Sequence, residues 1–357
     1  MPHASGAPGG LASRAEPPRD LSALGFSGHF EELFVHLAEK GFVPGRVSRV
    51  DRGQPLVLTE TGPLRAEPAA HLRDLGDARI VVGDWVALAR PEGHDLAIVE
   101  AIIPRVSAFS RKDPGEQGVE QVVVANVDVA FVVQALSPGP NIARLERELV
   151  LAWESGAQPV VVLTKSDLAT DVQTARAEVS AVALGIETLV TCAITGEGVD
   201  AITACLGRGK SGAFFGASGV GKSTLVNSLV GDEVQQTAAV RETDGKGRHT
   251  TVAREMFFLA DGSILIDTPG MRALALLSGG EGIAAAFPDV EQLAERCRFA
   301  DCRHVREPGC ALREAVEDGR LSERRLASYR ALKDEAAHVE TRQDRGRSRH
   351  RRDGRGG

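Results

Sequence analysis

Gly216-Ala217-Ser218-Gly219-Val220-Gly221-Lys222-Ser223-Thr224 is the stretch on which the reading of this chain turns. Two glycines five positions apart, followed by Lys and Ser, have the spacing of a phosphate-binding loop. The stretch follows the apolar run Ala213-Phe214-Phe215 and precedes Thr224-Leu225-Val226-Asn227-Ser228-Leu229-Val230, which reads as a helix. Strand, loop and helix in that order are the context the motif needs. Glycines let backbone N–H groups turn inward around phosphate oxygens, and the helix N-terminus adds its positive end. Lys222 then reaches the β/γ-phosphates and the Ser223 hydroxyl suits Mg²⁺.

Upstream, Val122 to Val133 contains a buried strand and Asn141 to Ser155 reads as a helix. Pro159-Val160-Val161-Val162-Leu163 is a second buried strand, ending on Thr164-Lys165-Ser166-Asp167 at the carboxyl edge where α/β sheets bind ligands. An Asp there accepts two hydrogen bonds from guanine N1–H and the exocyclic amine, a pair that adenine does not offer. The Lys165 stem can lie along the base plane. Leu189 to Gly198 resembles the base-contacting segment of small GTPases, with Cys192-Ala193-Ile194 in place of Ser-Ala-Lys. Downstream, Arg248-His249-Thr250-Thr251 offers Mg²⁺ a hydroxyl in a Gly-rich stretch. Ile264 to Gly270 is a buried strand ending in Asp-x-x-Gly, with Asp267 suited to hold the metal through water and the Gly270 N–H to feel the γ-phosphate. Together these elements predict a GTPase.

Their order departs from an ordinary GTPase, where the phosphate loop comes first and the base-reading motifs last. Here Thr164 to Asp167 and Cys192 to Ile194 precede Gly216, so the domain is predicted to be circularly permuted. The cut falls just after Asp-x-x-Gly, which places both flanking domains where they can feel the γ-phosphate.

Before this domain, Phe30, Leu33, Phe34 and Leu37 fall at helical spacing and Gly41 supplies a stop. From Gly41 to about Arg111, short β-like runs separated by Gly and Pro suggest a small barrel, of the OB type or another. Trp85 reads as barrel core or rim. After the GTPase domain comes Cys297-x4-Cys302-x-His304-x5-Cys310, three thiols and an imidazole that can close a tetrahedral, structural Zn²⁺ site. A disulfide with a spare Cys is the alternative, disfavoured in a reducing compartment. Cys192 and Cys205 lie outside this cluster and read as packing residues.

At 357 residues the chain can bury more than one core. No apolar run approaches the ~20 residues that span a bilayer, and Met1 to Asp20 lacks a basic region followed by an apolar core, which points to the cytoplasm. The net charge of −7 argues against nucleic-acid binding by bulk charge. From Thr341 to Gly357, however, seven Arg stand against two Asp, a composition suited to phosphate backbones. The expected division is a flexible tail over 1–24, a barrel with its leading helix over 25–112, a permuted GTPase domain over 113–278, a helical zinc domain over 279–340 and a disordered Arg/Gly-rich tail over 341–357.

The barrel, the permuted motifs and the Cys-x4-Cys-x-His-x5-Cys spacing together resemble the RsgA (YjeQ) family of ribosome small-subunit-dependent GTPases over about residues 40–335. The resemblance implies an OB domain contacting 16S rRNA, a GTPase centre using Mg²⁺ with GTP, and a zinc domain with one structural ion that docks on the small subunit. It also implies a monomeric factor in late maturation of that subunit, released when the subunit stimulates GTP hydrolysis. Thr164 departs from the usual Asn, which predicts a weaker contact to the base and the neighbouring loop. Met271 stands where many GTPases carry a water-orienting Gln, so His249 is the candidate substitute. Two other classes compete: an RNA-binding assembly factor with a structural nucleotide, and a P-loop ATPase or kinase, which Asp167 argues against.

Overall fold

A computed structural model of the chain describes residues 14–51, 53–73, 79–91, 93–112, 120–231, 254–267 and 280–353. After β1 (Arg14–Ala15) and α1 (Gly28–Ala38) come five strands: β2 (Val43–Asp51), β3 (Gln54–Thr59), β4 (Gly62–Pro68), β5 (Trp85–Ala89) and β6 (Ala97–Ile102). The one-turn helix α2 (Ala70–Arg73) lies between β4 and β5. Pairing runs β2-β3-β4-β6-β5, β5 returns to β2, and β4 with β6 is the parallel pair. This closure is that of an OB fold. Its interior is filled by Val47, Val57, Ala66, Val86, Leu88, Ala97 and Val99, with inward positions alternating along β5 and β6 as the pleat requires. At Gly45 a Cβ would lie 2.5 Å from Val57 Cγ1, so only glycine lets β2 and β3 approach this closely.

Helix α1 covers one side of the barrel with Phe30 and Phe34. Trp85 is 1% exposed, with its ring 4.8 Å from Phe26 and 5.8 Å from Phe30. It is therefore a core residue under α1 and offers no face to a base. The flexible tail expected over 1–24 is corrected from residue 14 onward. Strand β1 pairs with Phe258 and Leu259 of the GTPase domain, and Leu21, Ala23 and Leu24 are buried. The apolar pair Leu21 and Leu24 gains more from burial than the short segment loses in freedom.

The expected charged connector forms the ends of a hairpin, β7 (Ala108–Lys112) with β8 (Glu120–Ala125), so the expected boundary at 112/113 falls inside a paired unit. The GTPase domain then runs β9 (Val129–Ala135), α3 (Ile142–Glu154), β10 (Gln158–Thr164), α4 (Val172–Ser180), β11 (Thr188–Val190), α5 (Val199–Leu206), β12 (Ser211–Phe215), α6 (Lys222–Val230), β13 (Glu255–Leu259) and β14 (Ile264–Asp267). The strand order is β11-β10-β9-β12-β14-β13, with β13 antiparallel and the others parallel. Every residue of β9 is buried, as expected of a strand covered on both faces. Strand β13 also pairs with β2 at Glu255 and Arg49, which joins the barrel to this sheet.

The C-terminal part is helical: α7 (Gly280–Ala286), α8 (Pro288–Ala294), α9 (Ala311–Glu317) and α10 (Glu323–Asp353). Helix α7 lies so close to α3 that a Cβ on Gly282 would meet the Val150 carbonyl at 2.7 Å. The tail expected to be disordered from Thr341 instead continues α10 as far as Asp353. Arg, Gln and Glu are good helix formers, and extending an existing helix avoids the cost of nucleation. Among the described residues no helix is long and apolar enough to cross a membrane.

Candidate functional site: a guanine nucleotide cleft and a Cys3His cluster

The carboxyl edge of the parallel sheet gathers the predicted motifs. Strands β9 and β12 are neighbours there, and each connects outward to a different side, the switch point at which open α/β sheets bind ligands. Residues 216–221 bridge β12 and α6. Gly216 has φ +140°, and a Cβ on it would sit 2.5 Å from the Val133 carbonyl of β9. Gly219 and Gly221 also have positive φ, +78° and +101°, which frees the loop to turn its N–H groups inward. Lys222 opens α6 and folds back over the loop, donating to the carbonyls of Gly216 (2.8 Å) and Ala217 (2.5 Å). Its ammonium is thus held where phosphate oxygens are to be met. Ser223 and Thr224 follow in the first turn of α6.

Strand β10 ends on the residues that the sequence predicts to meet the base. Thr164 is buried, and its hydroxyl donates to the Val220 carbonyl of the phosphate loop at 2.5 Å. The shorter side chain of Thr thus still reaches the loop. Lys165 takes a left-handed conformation, φ +60°, which turns the chain into the 3₁₀ segment Ser166–Leu168. Asp167 is held by the Cys192 thiol, which donates to its Oδ1 at 3.2 Å. Cys192 is 1% exposed and its backbone is pinned to Glu197 and Gly196, so the thiol is a fixed donor. Ala193 follows it, and Ile194, where small GTPases have Lys, is 80% exposed. Asp267 ends β14, whose pairing with β12 (Ala213 with Ile266) brings it to the edge that carries Ser223. His249, Thr250, Thr251, Gly270 and Met271 lie outside the described residues.

Two residues at this edge were missed by the sequence reading. Gln134, polar at the end of the apolar β9, accepts from the Asn141 N–H (3.2 Å) and donates to Glu148 Oε2 of α3 at 2.7 Å. Burial pushes the Glu148 carboxyl up to about 7, against the opposing pull of Arg144, the Gln134 hydrogen bond, Lys222 and Arg147. A polar side chain within a buried run was the one available signal for Gln134. Nothing in the pattern of α3 marks Glu148.

The second centre is compact in sequence. Ligand atoms of Cys297, Cys302, His304 and Cys310 all lie within 4.8 Å of one another. His304, with φ +60°, directs Nδ1 at Cys297 Sγ (3.5 Å) and Cys310 Sγ (3.6 Å). A tetrahedral ion with Zn–S near 2.3 Å and Zn–N near 2.0–2.1 Å requires an S···N edge of about 3.6 Å. Burial also lowers the His304 pKa and favours the neutral imidazole that metals bind. Glu307 braces the loop by accepting from the backbone N–H of Arg303, Val305 and Arg306. The four residues therefore fit a structural metal ion, as their spacing predicted.

Residues 102–277 match the family model described as RsgA GTPase. The small ribosomal subunit biogenesis GTPase RsgA of Streptomyces coelicolor is 43% identical over 328 residues, spanning 91% of this chain and 88% of that protein. The protein of the same name from Opitutus terrae is 41% identical over 91% and 92%. Among solved structures, YjeQ from Thermotoga maritima aligns with a TM-score of 0.62 at 27% identity, covering 83% of this chain and 99% of that one. YloQ, a circularly permuted GTPase, shares the fold with a TM-score of 0.59. On the motif order, the strand order and these relatives, the chain belongs to the RsgA family of circularly permuted GTPases.

Proposed function

We propose that this protein hydrolyses GTP to GDP and phosphate on the small (30S) ribosomal subunit, and that hydrolysis releases it late in maturation of that subunit. The observation that carries this reading is the tie between the two halves of the nucleotide cleft. Thr164 bonds the base-reading strand to the phosphate loop, and Cys192 fixes the guanine-selective carboxylate of Asp167. Phosphoryl transfer depends on positioning and charge stabilisation, and these contacts supply positioning.

In this reading the loop from Gly216 to Gly221 cradles the phosphates, Lys222 meets the β/γ oxygens, and Lys165 and Asp167 select guanine. Ser223, Asp267 and the hydroxyls of Thr250 and Thr251 would hold Mg²⁺, which would supply charge neutralisation at the phosphoryl group. The Gly270 N–H senses the γ-phosphate. With Met271 in the usual Gln position, intrinsic turnover is slow, and His249 orients water on the subunit. The barrel and the zinc-bound C-terminal unit contact 16S rRNA, and the protein works as a cytoplasmic monomer. The names of the curated relatives support the ribosomal assignment.

The test is GTP turnover by the purified protein with and without isolated small subunits, at low and moderate salt. Stimulation of roughly 10³-fold, the scale on which completing a GTPase site acts, is expected. Stoichiometric binding without stimulated turnover would instead favour an RNA-binding factor whose nucleotide is structural. His249→Ala should leave GDP affinity unchanged and reduce stimulated turnover by about 10²-fold or more, and unchanged stimulated turnover would remove His249 from the mechanism.

A further inference from the structure

Helix α3 presents different faces to different parts of the molecule. Glu146 and Glu148 are two residues apart and so point about 200° from each other around the helix. Glu146 turns to the C-terminal helices, where it meets Arg325 at 3.0 Å. Glu148 turns instead to a cavity of about 360 Å³ whose far wall is the phosphate loop at Gly216, Ala217 and Ser218. The Lys222 ammonium is bound to the carbonyls of two of those same residues. The Glu148 carboxyl and the phosphate loop therefore line one cavity.

The carboxyl is held in place. Gln134 has its amide orientation set by the Asn141 N–H on its oxygen, which leaves its NH₂ to donate to Glu148 Oε2. The single Thr164 hydroxyl proton goes to Val220, with the Gln134 carbonyl 3.4 Å away as a second, longer acceptor, so that α3, β9, β10 and the loop meet here. The charged groups facing Glu148 are Arg144 and Arg147 from its own helix and Lys222 from the loop side. Arg147 is itself engaged by Glu335 of α10. Among the described residues the hairpin and β12 contribute Phe109 and Phe215 to the cavity.

We propose that Glu148 is a proton-linked residue beside the phosphate site: phosphates bound on the loop repel its carboxylate across the cavity that both line, so that nucleotide binding drives uptake of a proton at Glu148. The proton comes from solvent to a carboxyl oxygen, and no other bond is made or broken. The physical reason is like-charge repulsion. Phosphates arriving on the loop bring several negative charges to a carboxylate already raised by burial, and the neutral acid becomes the favoured form.

This inference rests on the nucleotide-binding reading, and calorimetry of GDP binding to the full-length protein separates the two. Titrations between about pH 6 and pH 8.5, in two buffers of different ionisation heat, measure affinity and proton uptake together. The wild type should take up a fraction of a proton near neutrality and lose affinity by about threefold to tenfold toward the alkaline end, relative to Glu148→Gln. Ionisation of the nucleotide's own terminal phosphate, near pH 6, is common to both proteins and cancels in the comparison. Glu148→Gln, which retains a partner for Gln134, should bind GDP more tightly at pH 8 and take up no excess proton. Glu148→Asp should restore the proton linkage. Identical pH profiles and proton counts for wild type and Glu148→Gln would overturn the inference and leave the nucleotide reading standing. Absence of GDP binding by the wild type at every pH would overturn both.

Discussion

Two arginines are buried where the flanking domains meet the GTPase domain, and they are held in different ways. Arg46 of the barrel, 2% exposed, donates to the carbonyls of Leu24 and Asn126 and to the Ser211 hydroxyl. No carboxylate touches it in the described structure, and burial lowers its pKa to about 10, with only partial compensation from Asp128. Arg325 of the C-terminal unit, 4% exposed, forks onto Asp289 and also meets Glu146. Burial opposes its charge too, yet Asp289 and Glu146 outweigh that and its pKa is raised. Both guanidinium groups lie over aromatic rings, Trp85 at 5.6 Å and Phe287 at 4.6 Å. The first junction is thus defined by the position of neutral acceptors, and the second by a balance of buried charge. A junction of the first kind specifies geometry, whereas one of the second kind fails when any single charge is lost.

The largest expected effect is metal removal, because it acts on one junction alone. The Cys3His loop lies between α8, which carries Asp289, and α9, and His304 packs near Tyr329 of α10. Zinc sites in isolated fingers are worth ~10–16 kcal/mol, so a strong chelator should unfold residues 297–310 and loosen the Arg325 contacts. Hydrogen exchange should show protection lost over 288–330 and kept over 43–102. Equal loss in both regions would mean that the two junctions are not independent. Next in size, Arg325→Met leaves Glu146 buried without its partner, which should cost about 3–5 kcal/mol in denaturant unfolding. Arg46→Met strands three neutral acceptors but no charge, and about 1–3 kcal/mol is expected. Were the two substitutions to cost the same, the contrast between charge balance and geometry would be lost. The smallest effect belongs to Arg147 and Glu335, about one-third exposed on each side. A double-mutant cycle should find a coupling below about 1 kcal/mol, and a larger value would make this partly exposed pair a second pillar of the C-terminal junction.

The centres that were legible in the sequence share one property: their residues are close along the chain. The phosphate loop is a contiguous stretch between a strand and a helix, and the four metal ligands fall between Cys297 and Cys310. Their geometry follows from local turns, glycines and spacing, so residue type and order suffice. Permutation was legible for the same reason, since it is a statement about order. The β-rich N-terminal segment announced a barrel but not its closure, because the pairing of β4 with β6 and of β5 with β2 is not written in any single strand.

What tertiary structure alone decided lies in contacts between distant residues. Nothing local in Thr164 indicates that its hydroxyl meets Val220, nor does the helical pattern of α3 indicate that Glu148 faces the loop while Glu146 faces Arg325. The segment from Arg14 to Leu24 reads as a tail until its strand finds β13 and its leucines find the core. The sequence by itself determined the identity and order of the ligand-holding motifs, because short-range backbone geometry fixes those. Folding decided which buried charges are paired, which carboxyl shares a cavity with the phosphate loop and how the flanking domains are fastened, because each depends on surfaces that exist only once the elements have packed.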